Sequence, residues 1–177
     1  MSPQVIFQTQ LVLGYVVSLI VFGTYILPRL RLMDRFDAQR IIATIHSYRF
    51  FGLVFVLPGV VGPQLPASFA TLAAYADFVT GLLAILALLT ARIRPLFWLF
   101  VVGFNLVGMS DLLLDYYHAT RYGLANVAGQ LGAAYVIPVI YVPMLMITHV
   151  LAFYWLVRPQ PKAARVPIAT TAMSQSN

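Results

Sequence analysis

Hydrophobic residues are grouped along the chain in five long runs, separated by short polar segments. Each run is close to the roughly 20 residues that a helix needs to cross a hydrocarbon core of about 30 Å. Because the intervening segments are short, consecutive helices are predicted to be antiparallel neighbours. The pattern therefore predicts an all-α polytopic membrane protein, a bundle of five transmembrane helices. The predicted spans are residues 11–28, 41–61, 69–90, 96–117 and 131–157.

The composition also favours a membrane protein. Hydrophobic residues make up 61% of the chain and charged residues 9%, whereas a soluble domain carries about 25% charged residues. The net charge is +6, but the basic residues stand between the apolar runs. We therefore attribute them to membrane topology and expect no nucleic-acid partner. The expected partner is the lipid bilayer, and a homo-oligomer or a larger membrane complex stays open.

Several chemistries are excluded by what the sequence lacks. Cysteine is absent, so disulfides, thiolate metal sites, cysteine nucleophiles and covalent haem attachment are not available. The chain has no glutamate, no phosphate-binding glycine loop, no zinc-type histidine pair and no nucleophile elbow. A hydrolase or kinase activity is therefore not expected, and no metal site is predicted.

The positions of lysine and arginine predict the orientation in the membrane. No basic residue precedes the first run, which indicates a retained helix instead of a cleaved signal peptide. In a five-span arrangement nine basic residues fall on one side, and Arg121 is alone on the other. The positive-inside rule then places the N-terminus outside and the C-terminus in the cytoplasm. The tail, residues 159–177, has no apolar periodicity and is predicted to be disordered. The nine are Arg29, Arg31, Arg35, Arg40, Arg92, Arg94, Arg158, Lys162 and Arg165.

Carboxylates mark a polar layer in the predicted outer half. Asp77 lies about two turns below the outer end of the third helix. The fourth helix carries Asn105, Asp111 and Asp115 at helical spacing, so these side chains form one stripe. Three carboxylates at similar depth cannot all stay ionised and unpaired, and Arg121 is the nearby cation. Ionisable residues inside a membrane are expensive to bury, so we predict an ion- or ligand-binding site at Asp77, Asn105, Asp111 and Asp115.

A second polar layer is predicted in the cytoplasmic half. His46 and Arg49 share one face of the second helix, and His149 lies at a similar depth on the fifth. The first two could reach the lipid headgroups, form an internal pair, or contact a ligand. Haem b held by His46 and His149 is a possible cofactor. A quinone bonded by His149 or Tyr141 is another.

Three stretches resemble an uncharacterised family of small bacterial membrane proteins. The clearest are FNLVGMSDLLLDYYHA (104–119) and GQLGAAYVIPVIYVPMLMITHVLAFYWL (129–156), and HSYRFFGLVFVLPGVVGPQLP (46–66) matches less closely. In this family a Phe-Asn, Gly, Asp-Leu pattern precedes a Gly-Ala-Ala-Tyr, Ile-Pro, Val-Pro, Thr-His pattern. The resemblance implies a bacterial inner membrane and no particular activity. The stretches that carry the resemblance include Asn105, Asp111 and His149, three residues that the depth of polar groups also singles out.

These observations lead to three hypotheses from different classes. The first is a binding or transport bundle, in which an outer cavity handles a proton, a cation or a small polar or amphipathic ligand. The second is a structural or accessory subunit whose intramembrane polar residues pair with another protein. The third is a redox protein that holds haem or a quinone.

Overall fold

The structure, a computed structural model, describes residues 1–157, which form helices and turns without any strand. Four of the helices in this range are long and apolar enough to cross a membrane. The predicted disordered tail and its basic residues, Arg158, Lys162 and Arg165, lie outside the described residues. The four helices are α1 (Pro3–Leu32), α3 (Ala67–Leu89), α4 (Arg94–Arg121) and α5 (Ile137–Val157). Between the first two lies a shorter helix, α2 (Arg35–Ser47).

Short-range capping explains where the first helices begin. The Ser2 hydroxyl accepts a hydrogen bond from the amide of Val5 at 3.3 Å, and Pro3 occupies the first helical turn of α1. The Asp34 carboxylate accepts one from the amide of Asp37 at 2.9 Å and caps α2 in the same way. Each cap satisfies an amide that has no partner inside its own helix.

The second predicted span has an unexpected geometry. The α-helix ends at Ser47, and the chain continues as a nine-residue 3-10 helix, Tyr48–Val56, which we call the 3-10 extension. Leu57 is extended because Pro58 follows it and disfavours a helical conformation in the preceding residue. This stretch is not among the four helices that qualify as spans by length and composition.

The fifth predicted span also begins differently. Instead of entering a helix at residue 131, the chain forms an irregular 3-10 segment, Leu124–Tyr135, and α5 begins at Ile137. Gly132 breaks this connecting segment, with φ +52° and ψ −130°. Only glycine adopts such a conformation easily. A side chain at this position would also overlap the carbonyl oxygen of Val60, so the connecting segment packs directly on the loop after the 3-10 extension.

Helix α3 is central in the bundle, packed against α4 on one side and against the 3-10 extension on the other. Small residues on α3 permit this approach, and a Cβ at Gly81 would lie 2.9 Å from the amide nitrogen of Phe50. Helix α1 is peripheral and packs against α5 and the connecting segment. The Tyr15 and Tyr116 hydroxyls, 2.6 Å apart, join α1 to α4.

Replacing Gly132 with alanine is expected to lower the midpoint of thermal unfolding in detergent micelles. The glycine conformation costs a residue with a side chain about 1–3 kcal/mol, and the new methyl group meets the Val60 carbonyl. Gly129→Ala is the matched control, because no described atom lies within 4 Å of a Cβ there. Equal effects of the two substitutions would contradict the backbone conformation assigned to Gly132.

Candidate ligand-binding site

The guanidinium group of Arg49 is the centre of the polar interior. Arg49 lies in the first turn of the 3-10 extension and is 0% exposed. Its Nε donates to Asp77 Oδ1 on α3 at 2.5 Å, and its Nη2 donates to Asp111 Oδ2 on α4. Its Nη1 lies 3.3 Å from the carbonyl oxygen of Gly108 and 3.2 Å from His149 Nε2 on α5. One side chain therefore ties the 3-10 extension to three of the long helices.

The permanent charge of arginine determines the hydrogen-bond direction in the rest of this network. Arg49 can only donate, so His149 Nε2 accepts, and the neutral ring carries its proton on Nδ1. That Nδ1–H donates to Asn105 Oδ1 at 2.9 Å, and the Asn105 amide nitrogen donates to the Val101 carbonyl at 2.8 Å. His149 is thus held in one tautomer from both sides.

His46 extends this network by one ring. The Thr148 hydroxyl donates to the carbonyl of Leu145 at 2.8 Å, so its oxygen accepts from His46 Nε2 at 3.0 Å. The rings of His46 and His149 are in contact, with centroids 4.0 Å apart. His46 Nδ1 is buried and has no hydrogen-bond partner among the described residues.

Two glycines, which lack a side chain, make room for the atoms of this network. A Cβ at Gly108 would lie 2.6 Å from both Arg49 Nη1 and His149 Nε2. A Cβ at Gly52, one turn after Arg49 in the 3-10 extension, would overlap the carboxyl group of Asp77. The polar cluster therefore depends on the absence of side chains at these two positions, and close approach of backbone to side chain is the reason for glycine here.

The two predicted polar layers are connected to each other. The structure joins residues of both layers into one network: His46, Arg49 and His149 from the inner layer, and Asp77, Asn105 and Asp111 from the outer layer. Depths counted along helix axes ignored the length of the Arg49 side chain, which reaches carboxylates on other helices. Headgroup contact by His46 and Arg49 is also excluded, since both residues are fully buried.

The cation expected near the carboxylates was misidentified for the same reason. Arg121 is exposed and donates to the hydroxyl of Tyr117 at 3.0 Å, whereas Arg49 pairs with Asp77 and Asp111. Tyr141 stands apart from the network, because its hydroxyl donates to the Ile45 carbonyl at 3.0 Å.

A haem does not fit between His46 and His149. A porphyrin ring must stand between two axial imidazoles, whereas these two rings touch each other. Both nitrogens of His149 and the hydroxyl of Tyr141 already have protein partners, so neither group is available to bond a quinone without rearrangement. Within residues 1–157, no three His, Asp or Glu side chains are grouped so that they could hold a metal ion.

Asp115 is the one predicted aspartate of the site that Arg49 does not bind. It lies one turn beyond Asp111 on α4 and takes part in no ion pair among residues 1–157. Its Oδ1 atom is buried and has no hydrogen-bond partner in this range. A buried carboxylate oxygen without a partner is costly, so the surroundings of Asp115 are the part of the site that a ligand could complete.

A cavity of about 340 Å³ adjoins Asp115 at the end of the bundle where α1 begins and α4 ends. Asp77 and Asp115 are the charged residues that line it. Most of its remaining wall is apolar, with polar groups from the start of α1 and from the connecting segment. Its aromatic residues are Phe7, Phe55, Phe69 and Tyr116, and its amides are Gln4, Gln8 and Asn126.

Sequence reasoning missed the contribution of α1 to this cavity. Gln4, Phe7 and Gln8 precede the first predicted span, which began at residue 11. The available signal was the spacing of Gln4 and Gln8, which puts two amides on one helical face. That signal becomes visible only once the helix is extended back to Pro3, where Ser2 caps it.

Comparison with known proteins assigns the chain to a family without assigning it a function. A family model described as Domain of unknown function (DUF8737) matches residues 6–157. No curated protein and no solved structure matches the chain.

Replacing Arg49 with methionine is expected to lower the free energy of unfolding by about 3–5 kcal/mol, because two buried carboxylates lose their cation. The measurement is denaturation in mixed micelles. The matched control is Arg121→Met, which removes an exposed arginine and is expected to have little effect.

A charge-neutral variant separates electrostatics from packing. Adding Asp77→Asn and Asp111→Asn to Arg49→Met removes both orphaned charges and should restore part of the lost stability. If the triple variant is no more stable than Arg49→Met alone, the network does not act through charge compensation.

Proposed function

Since the chain belongs to the DUF8737 family, we propose from the geometry of its site that it is an integral membrane protein that binds a small amphipathic molecule. The ligand occupies the cavity beside Asp77 and Asp115, in the outer half of the bundle. One observation carries this proposal: a largely apolar cavity adjoins Asp115, whose buried Oδ1 atom has no hydrogen-bond partner among the described residues.

The cavity has the properties of a small-molecule site. Ligand pockets are typically about 300–1,000 Å³, mostly apolar, with a few polar groups that orient the ligand. Here aromatic side chains supply the apolar surface, and the amides and carboxylates supply the polar groups. Asp77 belongs to both the cavity wall and the Arg49 network, so a ligand that attracts Asp77 would act on the packing of four helical elements. Such coupling between ligand binding and helix packing is what a transporter or a ligand-responsive protein requires.

The competing hypothesis of an accessory subunit finds less support. It supposed that the intramembrane polar residues pair with another protein. Arg49 instead pairs with Asp77 and Asp111 of its own chain, and His149 pairs with Asn105. These groups therefore do not need a partner protein to compensate their burial.

We further propose five spans, with the N-terminus outside and the C-terminus in the cytoplasm of a bacterial inner-membrane protein. A 3-10 helix rises about 2.0 Å per residue against about 1.5 Å in an α-helix. Residues 41–56 therefore extend over roughly 28 Å, close to the thickness of the hydrocarbon core. Six arginines then lie on the cytoplasmic side of the described chain, at positions 29, 31, 35, 40, 92 and 94, opposite Arg121.

Single cysteines on either side of the second span test this topology, because the chain has no cysteine of its own. A membrane-impermeant maleimide added to intact cells is expected to label Ala67→Cys. Met33→Cys should react only after permeabilisation. Labelling of both from outside would mean that residues 41–56 do not span, and the reverse pattern would invert the orientation.

Ligand binding is tested with three probes that share a phenyl body: 2-phenylethylamine, 2-phenylethanol and 3-phenylpropionate. We expect at least one to bind saturably to the protein in lipid nanodiscs, measured by calorimetric titration. Ala119→Trp fills the cavity from α4 and should abolish that binding. Leu113→Trp is the matched control, because Leu113 is 57% exposed on the same helix. If no probe binds saturably, or if Ala119→Trp binds normally, the cavity is not a ligand site.

A further inference from the structure

We infer that the cavity selects an organic ammonium ion, whose cationic head lies beside Asp115 and whose apolar body contacts the aromatic wall. This inference rests on the proposed function and specifies the class of ligand. Its basis is the pairing of the three interior aspartates, the composition of the cavity wall, and the position of Asp115 at that wall.

The described interior places three aspartates near one buried arginine, Arg49. Arg49 carries one positive charge, and both Asp77 and Asp111 bond to it. Asp115 lies next on the same face of α4 and has no ion pair in this range. Ionisation of all three aspartates would give the cluster more negative than positive charge, and the carboxylate outside the ion pairs is the one at the cavity. A cationic ligand offsets that excess, whereas an anionic ligand increases it.

The cavity wall favours a cation for a second reason. None of its lining residues is Lys, Arg or His, so no protein cation competes with a ligand for Asp115. Four lining residues are aromatic: Phe7, Phe55, Phe69 and Tyr116. The face of an aromatic ring attracts an ammonium group by about 0.5–2 kcal/mol, depending on its desolvation. The same rings provide apolar contact for the body of the ligand.

The surroundings of Asp115 favour an organic ammonium ion over a metal ion. A metal ion requires several oxygen ligands around one point, and residues 1–157 contain no such group of His, Asp or Glu side chains. A single unpartnered carboxylate in an apolar cavity instead suits one ammonium head with an apolar body. Within one scaffold, one charge-assisted hydrogen bond discriminates by about tenfold or more.

The three phenyl probes distinguish this inference from the broader proposal. In nanodiscs, the wild-type protein is expected to bind 2-phenylethylamine about tenfold or more tightly than 2-phenylethanol, and 3-phenylpropionate most weakly. This order is measured on the unaltered protein, so it does not depend on the folding of any variant. If the alcohol or the carboxylate binds as tightly as the amine, the ammonium inference is wrong although the cavity binds ligands.

The variant Asp115→Asn tests the residue. It keeps the shape of the side chain and removes its charge, so affinity for 2-phenylethylamine should fall about tenfold while affinity for 2-phenylethanol stays within about threefold. Asp37→Asn, an exposed aspartate in the first turn of α2, is the matched control. If Asp115→Asn binds 2-phenylethylamine with unchanged affinity, another residue binds the ammonium group. If the wild-type protein binds none of the three probes, the proposed function itself is wrong.

Discussion

The structure depends on the burial of one guanidinium group. A charge inside a membrane bundle is tolerated only when it is paired and its hydrogen-bond donors are satisfied. Arg49 meets this condition by bonding to Asp77 on α3, to Asp111 on α4, and to His149 on α5. These three helices and the 3-10 extension must therefore take one mutual arrangement, and glycines at positions 52 and 108 provide the space for it.

The Arg49 network also defines the candidate site, because it leaves one nearby carboxylate, Asp115, without an ion pair among residues 1–157. Arg49 has one charge, and two carboxylates share it. Asp115 lies just outside this arrangement, at the wall of a cavity that α1 closes from the periphery of the bundle. Two aspartates that are paired with Arg49 thus stand beside a third that has no ion pair among residues 1–157. This contrast separates the aspartates that hold the helices together through Arg49 from the one that lies at the cavity without an ion pair.

Much of the candidate site could be identified from residue type alone. Asp77, Asn105, Asp111, Asp115, His46, Arg49 and His149 stood out because polar groups inside apolar runs are expensive. Their partition into two layers did not show that they share one network, because depth along an axis does not include side-chain reach or the greater rise of the 3-10 extension. The contribution of Gln4 and Phe7 was missed because the first helix begins eight residues before the predicted span.

The sequence by itself determined the class of the fold. Long apolar runs between polar segments require helices, since backbone groups in hydrocarbon must be satisfied within each segment. It also determined which polar residues interrupt the apolar runs, because charge in an apolar run is visible without coordinates. Only the tertiary structure decided which of these residues neutralise each other and which one remains at a cavity. Pairing depends on distances between side chains of different helices, and the spacing along one chain does not contain that information.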